Sequence, residues 1–159
     1  MRKINRKGFT LIELLAVIVV LAIVMVLAAS TVLPYMANAR KDAFAVEANT
    51  LKESAAQAMS LKAIGSVKDN FEPIEETVDG KTVITGYCFT VENLKNLGLF
   101  KKDDTNYAGT VIVDISNSAY TYTVNMKNTE FYVTKTGDVE REDVGAIADI
   151  PETFAAECE

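Results

Sequence analysis

The chain has 159 residues, of which 49% are hydrophobic, and its formal net charge at pH 7 is −6. It contains no histidine, the side chain that titrates nearest to neutral pH and the commonest protein ligand of zinc and other transition metals. The composition therefore argues against an acid–base enzyme and against a histidine metal centre, and the acidic balance argues against nucleic-acid binding. We expect no catalytic residues, no cofactor and no metal site.

The N-terminal part combines a basic cluster with a long apolar segment. Four of residues 1–8 are basic, and residues 14–29 carry no polar side chain. About 20 helical residues cross the apolar part of a bilayer, so the segment is long enough to span one. The positive-inside rule then keeps the basic cluster in the cytoplasm. A cleaved secretory signal peptide is an alternative, although the apolar run is longer than the roughly 7–15 residues typical of one.

Glu13 lies at the start of this apolar segment. A carboxylate inside a membrane helix is unfavourable by about 2.5–3.5 kcal/mol, so it indicates a functional site with a partner. A plain membrane anchor leaves Glu13 unexplained. Cleavage between Gly8 and Phe9 would create a positive amine four residues before Glu13, on the same helix face. The pair could form within one subunit or between staggered neighbours, where it would also fix the stagger.

The sequence Gly8-Phe9-Thr10-Leu11-Ile12-Glu13-Leu14 follows a basic leader and opens an apolar helix. It resembles the class III signal of type IV prepilins and type II secretion pseudopilins, and the resemblance covers residues 2 to about 35. It implies that a prepilin peptidase cuts after Gly8 and methylates the amine of Phe9. It also implies that Glu13 contacts the N-terminus of a neighbouring subunit during assembly.

The same resemblance implies a location and partners. The precursor would lie in the inner (cytoplasmic) membrane with its head outside, and the mature form in an extracellular pilus filament. The filament would be a homopolymer of identical subunits, built by a pilus assembly machinery for adhesion, motility or DNA uptake. A pseudopilin of a type II secretion or competence system is the alternative within the family. A membrane-anchored surface binding protein is the alternative of a different class.

A single helix is predicted from about residue 10 to residue 64. Its second half is amphipathic, since apolar or small residues recur three, four or seven positions apart between residues 35 and 64. Pro34 removes one helical hydrogen bond and predicts a bend or a loosened helix near Ser30 to Pro34. A membrane span followed by a separate soluble helix is the alternative.

The remaining residues predict a small head. Residues 66–79 are polar and acidic and predict a loop, and Thr90 and Gly98 are the expected N-cap and end of a short helix. Strands are expected at 81–87, 110–116, 120–126 and 130–136, and the short turns between the last three favour an antiparallel meander. One face of the sheet should pack on the second half of the long helix.

These elements predict an α+β fold in four segments. They are a leader peptide at 1–8, a transmembrane and filament-core helix at 9–34, an amphipathic helix at 35–65, and a β-sheet head at 66–159 with an acidic, irregular tail from Asp138. Oxygen-rich runs at 103–106 and 138–140 match no EF-hand spacing and are expected to be solvated loops.

Cys88 and Cys158 are the only cysteines. Disulfides persist outside the cytoplasm, and two cysteines allow one intramolecular pair. A Cys88–Cys158 bridge would resemble the disulfide that staples the C-terminal region of many pilins. Two buried free thiols are the alternative.

Overall fold

The computed structural model describes residues 10–66, 71–101, 106–117 and 119–158. The predicted cleavage site at Gly8 and Phe9, and residues 103–105 of the first oxygen-rich run, lie outside these ranges. The chain divides into two compact units, residues 1–39 and 40–159. Its main elements are α1 (Leu11–Ala63), β1 (Glu72–Val78), β2 (Lys81–Thr90), α2 (Val91–Asn96), β3 (Ala108–Asp114), β4 (Thr121–Lys127), β5 (Phe131–Thr136) and β6 (Gly145–Ala146).

Helix α1 comprises 53 residues and includes Pro34. The prediction of one long helix is therefore confirmed. Gly65 ends it with a φ of +70°, a conformation that glycine adopts without steric penalty. The N–H groups of Gly65 and Ser66 donate to the carbonyls of Lys62 and Leu61, which satisfies two carbonyls that the helix end would leave without partners.

The described strands form a six-stranded antiparallel sheet in the order β1-β2-β3-β4-β5-β6. Each strand pairs with its neighbour in sequence, so the predicted meander is confirmed. The core lies between one face of the sheet and α1 from Phe44 onward, and this confirms the predicted α+β architecture. Its buried side chains include Phe44, Ala48, Leu51 and Ala55 from α1 and Val111, Val113, Val124 and Val133 from the sheet.

The predicted loop at residues 66–79 is wrong in its second half, because residues 72–78 form β1. The strand pairs with β2 through a two-residue turn at Asp79 and Gly80, whose φ angles are 50° and 74°. Positive φ at both central residues is what a type I′ hairpin turn requires, and Asp-Gly is one of its preferred sequences. The prediction of a loop rested partly on Pro73, although proline is compatible with an edge strand such as β1.

The short helix α2 forms as predicted. The Thr90 hydroxyl accepts a hydrogen bond of 3.0 Å from the backbone N–H of Asn93, which caps the helix start. Gly98 has a φ of +70° just beyond the helix end. Strand β2 extends to Thr90 rather than ending at residue 87, so α2 begins directly where the strand stops.

The acidic tail is more ordered than predicted. Val139 and Val144 are buried in the core, and residues 145–146 add a short strand to the sheet edge. Asn49 of α1 exchanges two hydrogen bonds with the backbone of Val139. The two buried valines and Asn49 therefore help to hold the tail, together with the Lys41 ammonium, which donates to the Val144 carbonyl at 3.0 Å, and with the cysteine.

Candidate assembly site

The first unit carries an exposed apolar surface. The large apolar side chains of α1 between Leu11 and Leu33 are largely exposed. By length and composition α1 could cross a membrane, and it is the one such helix among the described residues. Residues 10–39 contain no lysine or arginine, so no side chain of this stretch offers a positive charge to Glu13.

Thr10 and Glu13 form a reciprocal cap at the start of α1. The backbone N–H of Thr10 donates to Glu13 Oε2 at 2.8 Å, and the Thr10 hydroxyl donates to the same oxygen at 3.0 Å. The Glu13 N–H in turn points to the Thr10 hydroxyl oxygen at 3.4 Å. This is the capping box, in which a threonine and a glutamate three residues later satisfy each other's donors. The sequence analysis missed this role, although Thr-x-x-Glu before an apolar run is its signature.

The cap gives Glu13 a role within its own chain, and Thr10 supplies neutral donors only. Neutral donors do not cancel the charge of an ionised carboxylate. In an apolar environment it still favours a cation. The predicted contact between Glu13 and the amine of Phe9 stays a prediction, since Phe9 lies outside the described residues.

A second polar feature lies near Pro34. The hydroxyls of Ser30 and Thr31 donate to the carbonyls of Leu27 and Ala28, at 2.9 and 3.0 Å. Such bonds satisfy a hydroxyl inside a helix and often bend it slightly. Pro34 has no N–H to donate to the Ser30 carbonyl one turn earlier. Both effects favour a bend here, and the bend at Pro34 stays a prediction.

The second unit is closed by a disulfide between Cys88 of β2 and Cys158, whose Cα atoms are 5.8 Å apart. The predicted bridge is present, and the alternative of free thiols is wrong. The segment 151–158, here called the strap, lies over the sheet at this point. The buried Thr110 hydroxyl donates to the Ala155 carbonyl at 2.9 Å, and Lys127 Nζ lies 5.3 Å from the Phe154 ring centroid.

Strap and sheet enclose an open groove of about 640 Å³, lined by Ile74 and Ile112 on the sheet side. Within the described ranges, no group of three or more acidic or cysteine side chains is placed to hold a metal ion. In the second oxygen-rich run, Asp138 forms an ion pair with Lys52 of α1.

Residues 3–29 match the family described as the prokaryotic N-terminal methylation motif. No curated protein and no solved structure matches the chain. The match begins within the basic leader, includes Gly8, Phe9 and the Thr10–Glu13 cap, and ends within the exposed apolar part of α1. The motif implies processing by a prepilin peptidase and assembly into a pilus-like polymer. Residues 3–29 therefore carry the class III prepilin signal of type IV pilins and pseudopilins.

Proposed function

We propose that the chain is a structural subunit of a type IV pilus. It is inserted into the inner membrane as a precursor, cut after Gly8, and polymerised through its N-terminal helix into an extracellular filament. One coincidence carries this proposal: the methylation motif at residues 3–29 overlaps a helix whose apolar side chains are exposed from its first turn. Such a surface needs lipid before assembly and neighbouring helices afterwards.

Processing would change the electrostatics of the N-terminus. Removal of residues 1–8 deletes four basic residues, which takes the formal charge from −6 to −10. It also places a methylated amine on Phe9, next to the residue that holds Glu13. A cation at this position would neutralise the only acidic side chain between residues 9 and 41. In the filament the amine of a neighbour would do so and set the stagger between subunits.

The head favours a pilus over a pseudopilus. Its C-terminal segment is tied down by the Cys88–Cys158 bridge, as in the pilins that the chain resembles. The bridge also fits a head that works outside the cell, where disulfides persist. In this proposal residues 9–34 form the filament core, residues 35–65 join core and head, and residues 66–159 form the filament surface.

Blocking the cleavage tests the processing step. Gly8→Val should leave the basic leader on a membrane-bound precursor and abolish filaments, while Asn5→Ser, inside the leader but away from the cut, should be processed normally. Mass spectrometry of the membrane fraction and electron microscopy of the cell surface give the two readouts. Filaments built from uncut Gly8→Val chains would contradict the proposal.

Deletion of the gene separates pilus from pseudopilus. A pilus subunit predicts that surface filaments disappear while the set of secreted proteins is unchanged. Loss of secreted proteins from cells that show no filaments at native expression would favour a pseudopilin. A membrane-anchored binding protein predicts neither loss.

A further inference from the structure

The groove between the strap and the sheet has an apolar lining. Ile74 of β1 and Ile112 of β3 form it on the sheet side, and Phe154, Ala155 and Ala156 form it on the strap side. All five residues are half-buried. The groove volume of about 640 Å³ lies within the range of about 300–1,000 Å³ that is usual for binding clefts. Because the groove is open, a partner can lie along the strap without displacing it.

Negative charge accompanies this apolar lining. Glu152 and Glu157 of the strap are exposed and also line the groove. Neither forms an ion pair within the part of the chain that the structure describes. Lys127 contacts the strap over the Phe154 ring, but among the described residues that line the groove there is no lysine or arginine. Since charges across an interface are normally complementary, the groove fits a partner that is both apolar and basic.

The strap also offers main-chain donors. The N–H of Phe154 donates to the Pro151 carbonyl. The N–H groups of Ala155, Ala156 and Glu157 donate to no acceptor among the described residues, and these three residues line the groove. Backbone N–H groups take a hydrogen-bond partner where one is available. An extended peptide supplies carbonyl groups in a regular row, as it does when it adds to the edge of a sheet.

We propose that the groove binds an extended peptide segment of another protein, in which apolar and basic residues alternate. Alternation places the two kinds of side chain on opposite sides of an extended chain. The apolar ones contact Ile74 and Ile112, the basic ones pair with Glu152 and Glu157, and the peptide carbonyls accept from the strap. A second copy of this chain is a poorer partner, because its net charge is −6, or −10 after removal of residues 1–8.

Peptide binding to the full chain in uncharged detergent tests the chemistry of the partner. In fluorescence anisotropy, a labelled Lys-Val-Lys-Val-Lys-Val-Lys peptide should bind about tenfold more tightly than Lys-Lys-Lys-Lys-Val-Val-Val, which has the same composition and charge but lacks the alternation. Glu-Val-Glu-Val-Glu-Val-Glu should bind more weakly than both. Equal binding of the two basic peptides would reveal general charge attraction only and would overturn the inference.

Variants test the residues of the groove. Glu152→Gln combined with Glu157→Gln should weaken binding of the alternating peptide severalfold. Glu53→Gln combined with Asp149→Asn removes two exposed carboxylates outside the groove and should leave binding unchanged. Ile112→Thr keeps a β-branched side chain but removes apolar contact, so it should also weaken binding. Equal affinities of the two double variants would overturn the inference, and an intact disulfide with an unchanged Tm shows that the fold is retained.

Crosslinking tests the location. A photoreactive residue in the middle of the alternating peptide should crosslink to the strap or to the strands that carry Ile74 and Ile112, as located by mass spectrometry. Crosslinks confined to other regions, such as the exposed apolar part of α1, would overturn the inference. Concentration-dependent association of the chain in place of peptide binding would assign the groove to a second copy instead. None of these measurements requires filaments, so their outcome is independent of the pilus function.

Discussion

The carboxylate of Glu13 receives two hydrogen bonds from Thr10, and both reach the same oxygen, Oε2. Glu13, which is predicted to contact a neighbouring subunit, is thus also the last member of a helix cap. The proposed contact with a neighbour's amine would add to this cap, since a carboxylate offers about four lone-pair sites. The cap would then hold the carboxylate in position before the neighbour arrives.

Three substitutions at Glu13 and Thr10 distinguish the role of the cap from the role of the charge. Glu13→Ala should leave membrane insertion intact or improved but abolish filaments, because cap and charge are both lost. Glu13→Gln keeps an oxygen for the Thr10 donors and removes the charge, so it should also fail if the ion pair fixes the stagger. Thr10→Val keeps the charge and loses the hydroxyl, which weakens the helix start by about 1 kcal/mol and should lower filament yield only modestly.

The measurement is filament yield in the sheared fraction, compared with mature protein left in the membrane. Full assembly of Glu13→Ala would rule out the pairing role. Full assembly of Glu13→Gln together with failure of Glu13→Ala would assign Glu13 to the cap alone.

Asn49 should be the residue of α1 on which the position of the tail depends most. Its amide donates to the Val139 carbonyl at 2.8 Å and accepts from the Val139 N–H at 2.9 Å. Asn49→Ala leaves both backbone groups of a buried residue without these partners, at about 1–3 kcal/mol for each orphaned group. Thermal unfolding should show a clear fall in Tm. The neighbouring Thr50→Ala, which removes a hydroxyl bonded within its own helix, should change stability by about 0.5 kcal/mol or less. Equal Tm values for the two variants would contradict this assignment.

The disulfide should control the strap. It joins residues 70 positions apart, and closing a loop of that length contributes about 4 kcal/mol in the chain-entropy model. Replacing both Cys88 and Cys158 with serine should lower the free energy of unfolding by a similar amount. It should also open residues 151–158 to proteolysis, because the bridge is the covalent link between this segment and the sheet and only weaker contacts, such as the Thr110–Ala155 hydrogen bond and the Lys127–Phe154 contact, would then hold it. Thr153→Ala, an exposed change in the strap itself, is the control. Equal protease resistance with and without the bridge would show that the sheet contacts suffice.

Low pH should destabilise the folded head, because it protonates a carboxylate of the C-terminal tail that is ion-paired in the folded state. A hydrogen bond of 2.8 Å from Lys135 lowers the pKa of Asp143 below its ordinary value, with help from the backbone N–H of Glu140. A carboxylate with a lower pKa in the folded state adds stability above its unfolded pKa, about 3.9, and this stability is lost as pH falls through the folded value.

Asp143→Asn should therefore flatten the fall in stability below about pH 4, as measured by denaturant unfolding across the acid range. The exposed Asp149→Asn is the control and should keep the slope of the unmodified chain. The same dependence of stability on pH in all three proteins would show that Asp143 does not contribute to the acid sensitivity of the head.

Most of the fold could be predicted because its signals are local. The spacing of apolar residues predicts α1, and Thr90 with Gly98 predicts α2. The alternation of Tyr122, Val124 and Met126 predicts a half-buried strand. Strand β1 was not predicted because it carries glutamates and a proline. The Asp79-Gly80 pair after it is the local sequence signal that indicates a hairpin.

Other contacts depend on residues far apart in sequence. Asn49 and Val139 are 90 positions apart, and no local pattern in the sequence predicts their contact. The same holds for Thr110 beneath Ala155. The cap formed by Thr10 and Glu13, by contrast, is local and could have been predicted from the Thr-x-x-Glu pattern. The resemblance of this segment to a prepilin signal assigned Glu13 to assembly, and its role as a helix cap was therefore overlooked.

Intact mass and N-terminal sequencing of protein sheared from the surface of the source cells would show whether the chain is a processed pilus subunit. A pilus subunit should be recovered in filaments as a chain that begins at Phe9 and is heavier by one methyl group. A full-length chain that stays in the membrane would contradict the pilus function, and so would a chain cut near Ala29, as expected for a secretory signal peptide.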